Sequence, residues 1–186
     1  MNKKCILITI LIFIIIFIFP GCINSSNNNN NNNELNYCKY TIIIEPSSSE
    51  EFLVYLPLLL NDENTTSDLN DLIDIKEGKG KFEIISTEYG RCLNISSSEK
   101  IILSLELSKK EDLPNLSLSL KIEENTHSIK YYSYFILNNS IDNLNLNIKF
   151  DYKPYEGALR EKQEIQEKIT DNGWQIIEGY KEKVTP

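Results

Sequence analysis

The chain carries one histidine, His127, in the polar run EENTHS. A histidine-based nucleophilic centre would have to be assembled around it, and no G-x-S-x-G elbow accompanies it, so His127 reads as a solvated turn residue. Glu88 in STEYGRC is followed by Tyr89, Gly90 and Arg91. A guanidinium three positions away holds a carboxylate ionised, which suits a salt bridge better than a general acid. Asp62, Glu63, Asn64, Asp68 and Asp71 make an oxygen-rich stretch but lack the ligand order of an EF-hand, so they read as a solvated acidic loop. EGKGK has the spacing of neither nucleotide-binding glycine motif and is expected to be a hairpin turn. HExxH is absent. These residues predict no catalytic centre, no metal site and no cofactor.

Binding chemistry is better represented. Among ten tyrosines, the run IKYYSYFIL sets Tyr132 and Tyr134 two apart, on one face of a strand. Amphipathic rings stack on sugars or anchor protein interfaces, and the same pattern also builds half-buried strands. Tyr132 and Tyr134 are therefore the candidate binding surface, for an envelope glycan or an envelope protein. The alternative function is a small carboxylate-based hydrolase of envelope glycans, which would need two carboxylates about 5 to 10 Å apart in a cleft.

The elements that must carry these residues follow a period of two. Leu116, Leu118, Leu120 and Ile122 alternate with polar residues, as do Leu144, Leu146, Ile148, Phe150 and Tyr152. Less regular strand-like runs cover 39–45, 52–60, 72–76, 82–86, 101–107 and 129–137, separated by clusters such as PSSSEE, SSSEK and NNSIDN. About eight or nine short strands without intervening helices predict a mostly β fold, an antiparallel β-sandwich. Pro57 belongs at an edge or bulge. At 155–171 the pattern changes: Ala158, Leu159, Ile165 and Ile169 with a Glu164 and Lys168 pair predict one C-terminal helix, stopped by Asn172 and Gly173. Trp174 to Tyr180 would be a final strand. Trp174 would be buried if this segment closes the sandwich and exposed if it is a separate partner-binding tail.

The N-terminus supplies an address. Lys3 and Lys4 precede an apolar run from Cys5 to Phe19, the layout of a secretory signal or of a helical membrane anchor. Either puts the lysines in the cytoplasm and the rest outside. Phe19, Pro20, Gly21 and Cys22 resemble a prokaryotic lipobox, which implies lipidation of Cys22. A two-chain lipid there would hold the protein stably on the membrane. Residues 1–22 are thus the signal or anchor, and residues 23–36, rich in Asn and Ser, a flexible tether. Residues 37–186 have the size of one ordinary domain.

Setting Lys3 and Lys4 aside leaves 17 basic residues against 27 acidic, a net charge of −10, which argues against nucleic acid as a partner. Cys38 and Cys92, an even pair in an oxidising compartment, are expected to form one disulfide. Asn-x-Ser/Thr sequons at Asn24, Asn64, Asn94, Asn115 and Asn138 are compatible with glycosylation. YTIIIEPSSSEEFLVYLP followed by GKFEIISTEYGRCLNI resembles a pattern in archaeal membrane-attached proteins, a resemblance that implies no activity. The sequence as a whole predicts a binding or structural module tethered to the outer face of the cell membrane.

Overall fold

In the computed structural model, residues 35–61 and 71–185 are described, and they belong to a unit beginning at Leu35. Cys22, the lipobox-like segment, the tether up to Glu34 and most of the acidic stretch from Asp62 lie outside the described residues. Thirteen strands follow in order: β1 Asn36–Pro46, β2 Phe52–Leu56, β3 Leu59–Asn61, β4 Asp74–Glu77, β5 Gly80–Thr87, β6 Gly90–Ser97, β7 Ile101–Lys109, β8 Leu116–Leu118, β9 Lys121–Glu124, β10 Ser128–Leu137, β11 Leu144–Lys153, β12 Arg160–Ile169 and β13 Gly173–Val184. The alternation that marks a strand with one face on a core is plain in β1, where Cys38, Tyr40, Ile42 and Ile44 are buried between more open neighbours.

The strands pair antiparallel in the order β4-β7-β1-β11-β12-β13-β10-β2-β6-β5. Five consecutive pairs, β1 with β2, β4 with β5, β6 with β7, β10 with β11 and β12 with β13, each put one strand in either half of that order. Their short links therefore gather at one end of the molecule. The links bond to one another and to the strand ends beside them: Ser47 N–H donates to the Asn143 carbonyl at 2.9 Å, Ser97 Oγ to the Lys79 carbonyl at 2.6 Å, and Leu137 N–H to Asn172 Oδ1 at 2.6 Å. The halves join along β12 and β13, paired from Arg160 opposite Val184 to Ile165 opposite Gly179. On the other side β4 and β5 are the free edges. The result is a nearly closed, barrel-like sheet whose halves face each other across one core.

At the far end, β3 pairs with β8 in a small second sheet, and Leu58, Leu59, Leu116 and Leu118 plug the barrel there. Leu58 and Ser119 lock this plug reciprocally, Leu58 N–H to Ser119 Oγ and Ser119 N–H to the Leu58 carbonyl, each at 2.9 Å. Beside it, Tyr40 lies fully inside the core and donates its hydroxyl to the Pro57 carbonyl at 2.5 Å. Pro57 itself sits between β2 and β3, where no ladder bond is needed from its nitrogen. On the flank, Arg160 grips Asp151 with two bonds, Nε to Oδ1 at 2.7 Å and Nη2 to Oδ2, and Tyr37 donates to the same Oδ1 at 3.0 Å. Burial raises the Asp151 carboxyl, but the bonds from Arg160 and Tyr37 outweigh it and hold the group below the usual carboxylate range.

Several expectations are corrected. The helix over 155–171 is not formed: most of that segment is the strand β12, and the described residues contain no α-helix. The Glu164 side chain that would pair with Lys168 along a helix reaches across to Lys149 at 3.1 Å, its register partner on β11, and Leu159 is exposed rather than buried. EGKGK is not a hairpin turn. It carries the chain from β4 in one half to β5 in the other, through Gly78 at φ +84°, where a Cβ would overlap the Lys100 carbonyl. Strand β6 is not among the expected runs, and the strands outnumber the eight or nine expected. Cys38 and Cys92 are free, buried thiols here, on β1 and β6 in different halves of the sheet.

Candidate recognition surface

On β10 the even-numbered side chains face outward, because Ile129, Tyr131, Ser133, Phe135 and Leu137 all point into the core. The outward row is Lys130, Tyr132, Tyr134 and Ile136. Cross-strand partners share a face, so register extends it: Tyr134 stands opposite Trp174 on β13 and Tyr55 on β2, Tyr132 opposite Ile176, and Ile136 opposite Leu53. One outer face thus collects both predicted tyrosines, the chain's single tryptophan and several aliphatic side chains.

The rings are ordered against one another. Tyr55 and Tyr134 stack with centroids 5.0 Å apart and planes 24° apart, and Trp174 leans on Tyr134 at 5.2 Å. Tyr89 enters from the β5–β6 turn and lies 4.4 Å from Tyr132 and, edge to face, 4.5 Å from Trp174. That turn is held by Thr87, whose Oγ1 accepts from Tyr89 N–H at 3.3 Å and donates to the Gly90 carbonyl at 2.8 Å, with Gly90 at φ +122°. Trp174 is therefore neither of the two expected things. It is half-buried, packed among tyrosines on the outside of the barrel. The most open members are Ile176 at 57%, Ile136 at 44% and Tyr89 at 40% exposure. At its lower end the face is bounded by charge: Lys130 binds Glu123 at 3.1 Å and faces Glu178.

Sequence reasoning finds Tyr132 and Tyr134 from spacing alone but misses Tyr55, Tyr89, Ile136 and Ile176. Strand register shows that Tyr55, Ile136 and Ile176 share a face with the tyrosines, and the ring contacts of Tyr89 add it. Leu53 and Tyr55 in FLVYL carry the same two-residue spacing, which is the one local signal.

The other residues singled out for chemistry are dispersed. His127 is exposed in the turn before β10, its N–H bound to Asn125 Oδ1 at 2.9 Å. It borders an open cavity of about 710 Å³ shared with Glu124, Tyr180, Lys181 and Glu182. Lys181, almost fully buried, contacts Glu124 and lies 3.4 Å from Glu161, while Lys121 takes the other Glu124 oxygen at 2.7 Å and Lys162 reaches Glu182 at 3.4 Å. Burial, with the charges of Lys183 and Lys121, pushes Lys181 down to about 8. Each carboxylate around this cavity is taken up by a lysine, an arrangement that ties β9, β12 and β13 together rather than presenting a proton donor to a ligand. Glu88 and Arg91 are exposed on the β5–β6 hairpin, as is Asp71 after the acidic stretch. Among the described residues no group of three or more His, Cys, Asp or Glu is placed to hold a metal ion. Of the sequons, Asn94 lies on β6 with its amide donating to Glu83 at 3.0 Å, and Asn115 and Asn138 are exposed in links.

Comparison of the chain with protein-family models, curated proteins and solved structures finds no match.

Proposed function

We propose that this protein is a recognition module of the cell envelope, held on the outer face of the membrane by the N-terminal apolar segment or by a lipid on Cys22, and that it binds an envelope protein through the aromatic face of β13, β10 and β2. The fold serves this as a flattened barrel, in effect a two-layer β-sandwich, with one outer face given over to the contact. The observation that carries the reading is the cluster of Tyr55, Tyr89, Tyr132, Tyr134 and Trp174 with exposed Ile136 and Ile176 beside it. Tyr and Trp supply large contact area at low entropic cost and dominate the energetics of protein interfaces, and an uncharged centre with a charged rim is their usual plan. The rings pack against one another, which suits interdigitating side chains better than the flat stacking that a sugar needs.

Hydroxyl-radical footprinting tests this whatever the identity of the partner. In intact cells, Tyr89, Tyr132, Tyr134 and Trp174 should be oxidised much less than in the dilute purified chain, while the exposed Tyr155 and Tyr180 outside the face should react alike in both. Equal oxidation of the aromatic face in cells and in dilute solution would remove the reading.

A further inference from the structure

The sheet is open between β4 and β5, and the two strands that border the opening are built differently. β4 has four residues, all exposed; Lys76 pairs with Asp74, and the register on β7 shifts between Ile75 and Glu77. Shortness, charge and a bulge are the means by which an edge is closed to further pairing. β5 is different. Its eight residues run in unbroken register with β6, from Gly80 opposite Ser97 to Thr87 opposite Gly90, with no proline, bulge or inward charge. β6 satisfies one side of this strand. On the other side every second residue turns its N–H and C=O toward the opening, where no described strand pairs with them.

The side chains along the opening are also incompletely covered. Phe82 and Ile84 stand opposite Ile95 and Leu93, both fully buried, so they face the core, yet each is only partly buried. Ile75 on β4 stands opposite buried Leu103 and is 37% exposed. Ile75, Phe82, Lys81 and Glu83 border one open cavity of about 430 Å³. A free main-chain edge beside apolar side chains fits an extended polypeptide, whose backbone supplies the missing bonds and whose alternate side chains enter the apolar gap. Charge narrows the choice further. Lys79 and Lys81 are exposed beside a second hollow, and neither forms an ion pair with a described residue, although the chain as a whole is acidic. Glu83 accepts the Asn94 amide instead.

We propose that β5 is a docking edge for an extended, acidic segment of another polypeptide. The segment adds as a strand in the opening, sets apolar side chains at alternate positions against Ile75, Phe82 and Ile84, and places acidic side chains between them near Lys79 and Lys81. The site lies two strands beyond β2 and does not rest on the aromatic face.

Hydrogen exchange of the detergent-solubilised full chain provides the test. The probe is a capped ten-residue peptide in which valine alternates with glutamate and threonine; a second peptide carries lysine in place of glutamate. The acidic peptide should slow exchange across 80–87 and leave the link at 138–143 unchanged. N-methylation of one alternate set of its amides should abolish binding, because pairing along an edge uses every second residue. Lys79→Glu with Lys81→Glu, both exposed, should weaken the acidic peptide and favour the basic one, changing the ratio of their affinities by about tenfold or more. No added protection at 80–87, equal binding of both N-methylated forms and the parent, or a ratio that ignores the charge reversal would each overturn the proposal. Protection at 80–87 that rises with protein concentration in the absence of peptide would overturn it in favour of a second copy of the chain.

Discussion

Asp151→Asn isolates one charge that three strands share. Asp151 on β11 receives both bonds of the Arg160 fork from β12 and the Tyr37 hydroxyl from β1, and the guanidinium also lies 5.4 Å from the Tyr37 ring centroid. Hydrogen bonds to a charged acceptor contribute about 1.5 to 3 kcal/mol, and exposed ion pairs about 0.2 to 1. The Asp151 side chain is 23% exposed and that of Arg160 39%, so the site falls between those cases. The substitution should destabilise the fold by about 1 to 2 kcal/mol at neutral pH, a Tm lower by about 2 to 8 °C for a domain of this size. Because the folded carboxyl is held below its unfolded value, its contribution is complete above that unfolded value, near 4, and is lost as pH falls through the lower folded one. The deficit of the variant, read from urea midpoints of the full chain between pH 7 and pH 3, should therefore shrink toward the acid end. Asp151→Asn with Arg160→Met, which removes both partners, should recover part of the loss. A deficit of the same size at both ends of the pH range would refute the account, as would no deficit at pH 7.

The alkaline limb has the opposite sign. Burial pushes the Cys38 thiol up to about 12 and the Cys92 thiol up to about 11, and it raises the Tyr40 and Tyr131 phenols above their ordinary range. Their stabilising contribution is complete below the unfolded values and is lost as pH rises through the folded ones, so Tm should fall progressively above about pH 9, with tyrosinate absorbance from Tyr40 and Tyr131 appearing only on unfolding. The same burial should keep both thiols unreactive toward Ellman's reagent in the native chain and expose them in urea; rapid native labelling would contradict their position in the core. Gly78→Ala should lower Tm, since it places a Cβ against the Lys100 carbonyl at a φ that side chains rarely adopt, whereas alanine at Gly157, which has open space around it, should cost less. Equal losses at the two glycines would show that the crossing at Gly78 tolerates movement.

Periodicity makes the strands with apolar inner faces legible. β11, with Leu144, Leu146, Ile148 and Phe150 inward, can be read from spacing alone. β12 cannot, because two of its inward-leaning positions are Glu161 and Gln163. Gln163 accepts the Tyr131 hydroxyl and donates to Glu161 at 2.7 Å, and Glu161 lies beside Lys181. Buried polar groups satisfied by distant strands break the apolar alternation, and what is left, Ile165 and Ile169 four apart, has the spacing of a helix. β6 is hidden in a related way: Ser97, buried and bound to the Lys79 and Glu99 carbonyls, occupies a place where an apolar residue would have marked the strand. EGKGK misleads because glycine signals a change of direction without saying whether the strands it joins will pair. The candidate surface is half legible: two tyrosines follow from spacing within one strand, and their neighbours follow only from registers set by pairings far apart in sequence.

The position of β1 between β7 and β11 bears on the order in which the chain can fold. As the polypeptide is made, its first strand has no permanent neighbour until Ile101–Lys109 has appeared, and its second edge stays open until Leu144–Lys153 follows. The barrel-like closure waits longer still, for the pairing of Arg160–Ile169 with Gly173–Val184 at the very end. Contacts of such long sequence separation pay loop-closure entropy before they return any stability, so the domain should fold late and slowly, once nearly the whole chain is available. A polypeptide that cannot settle early stays threadable, a property that the proposed placement outside the cell would use.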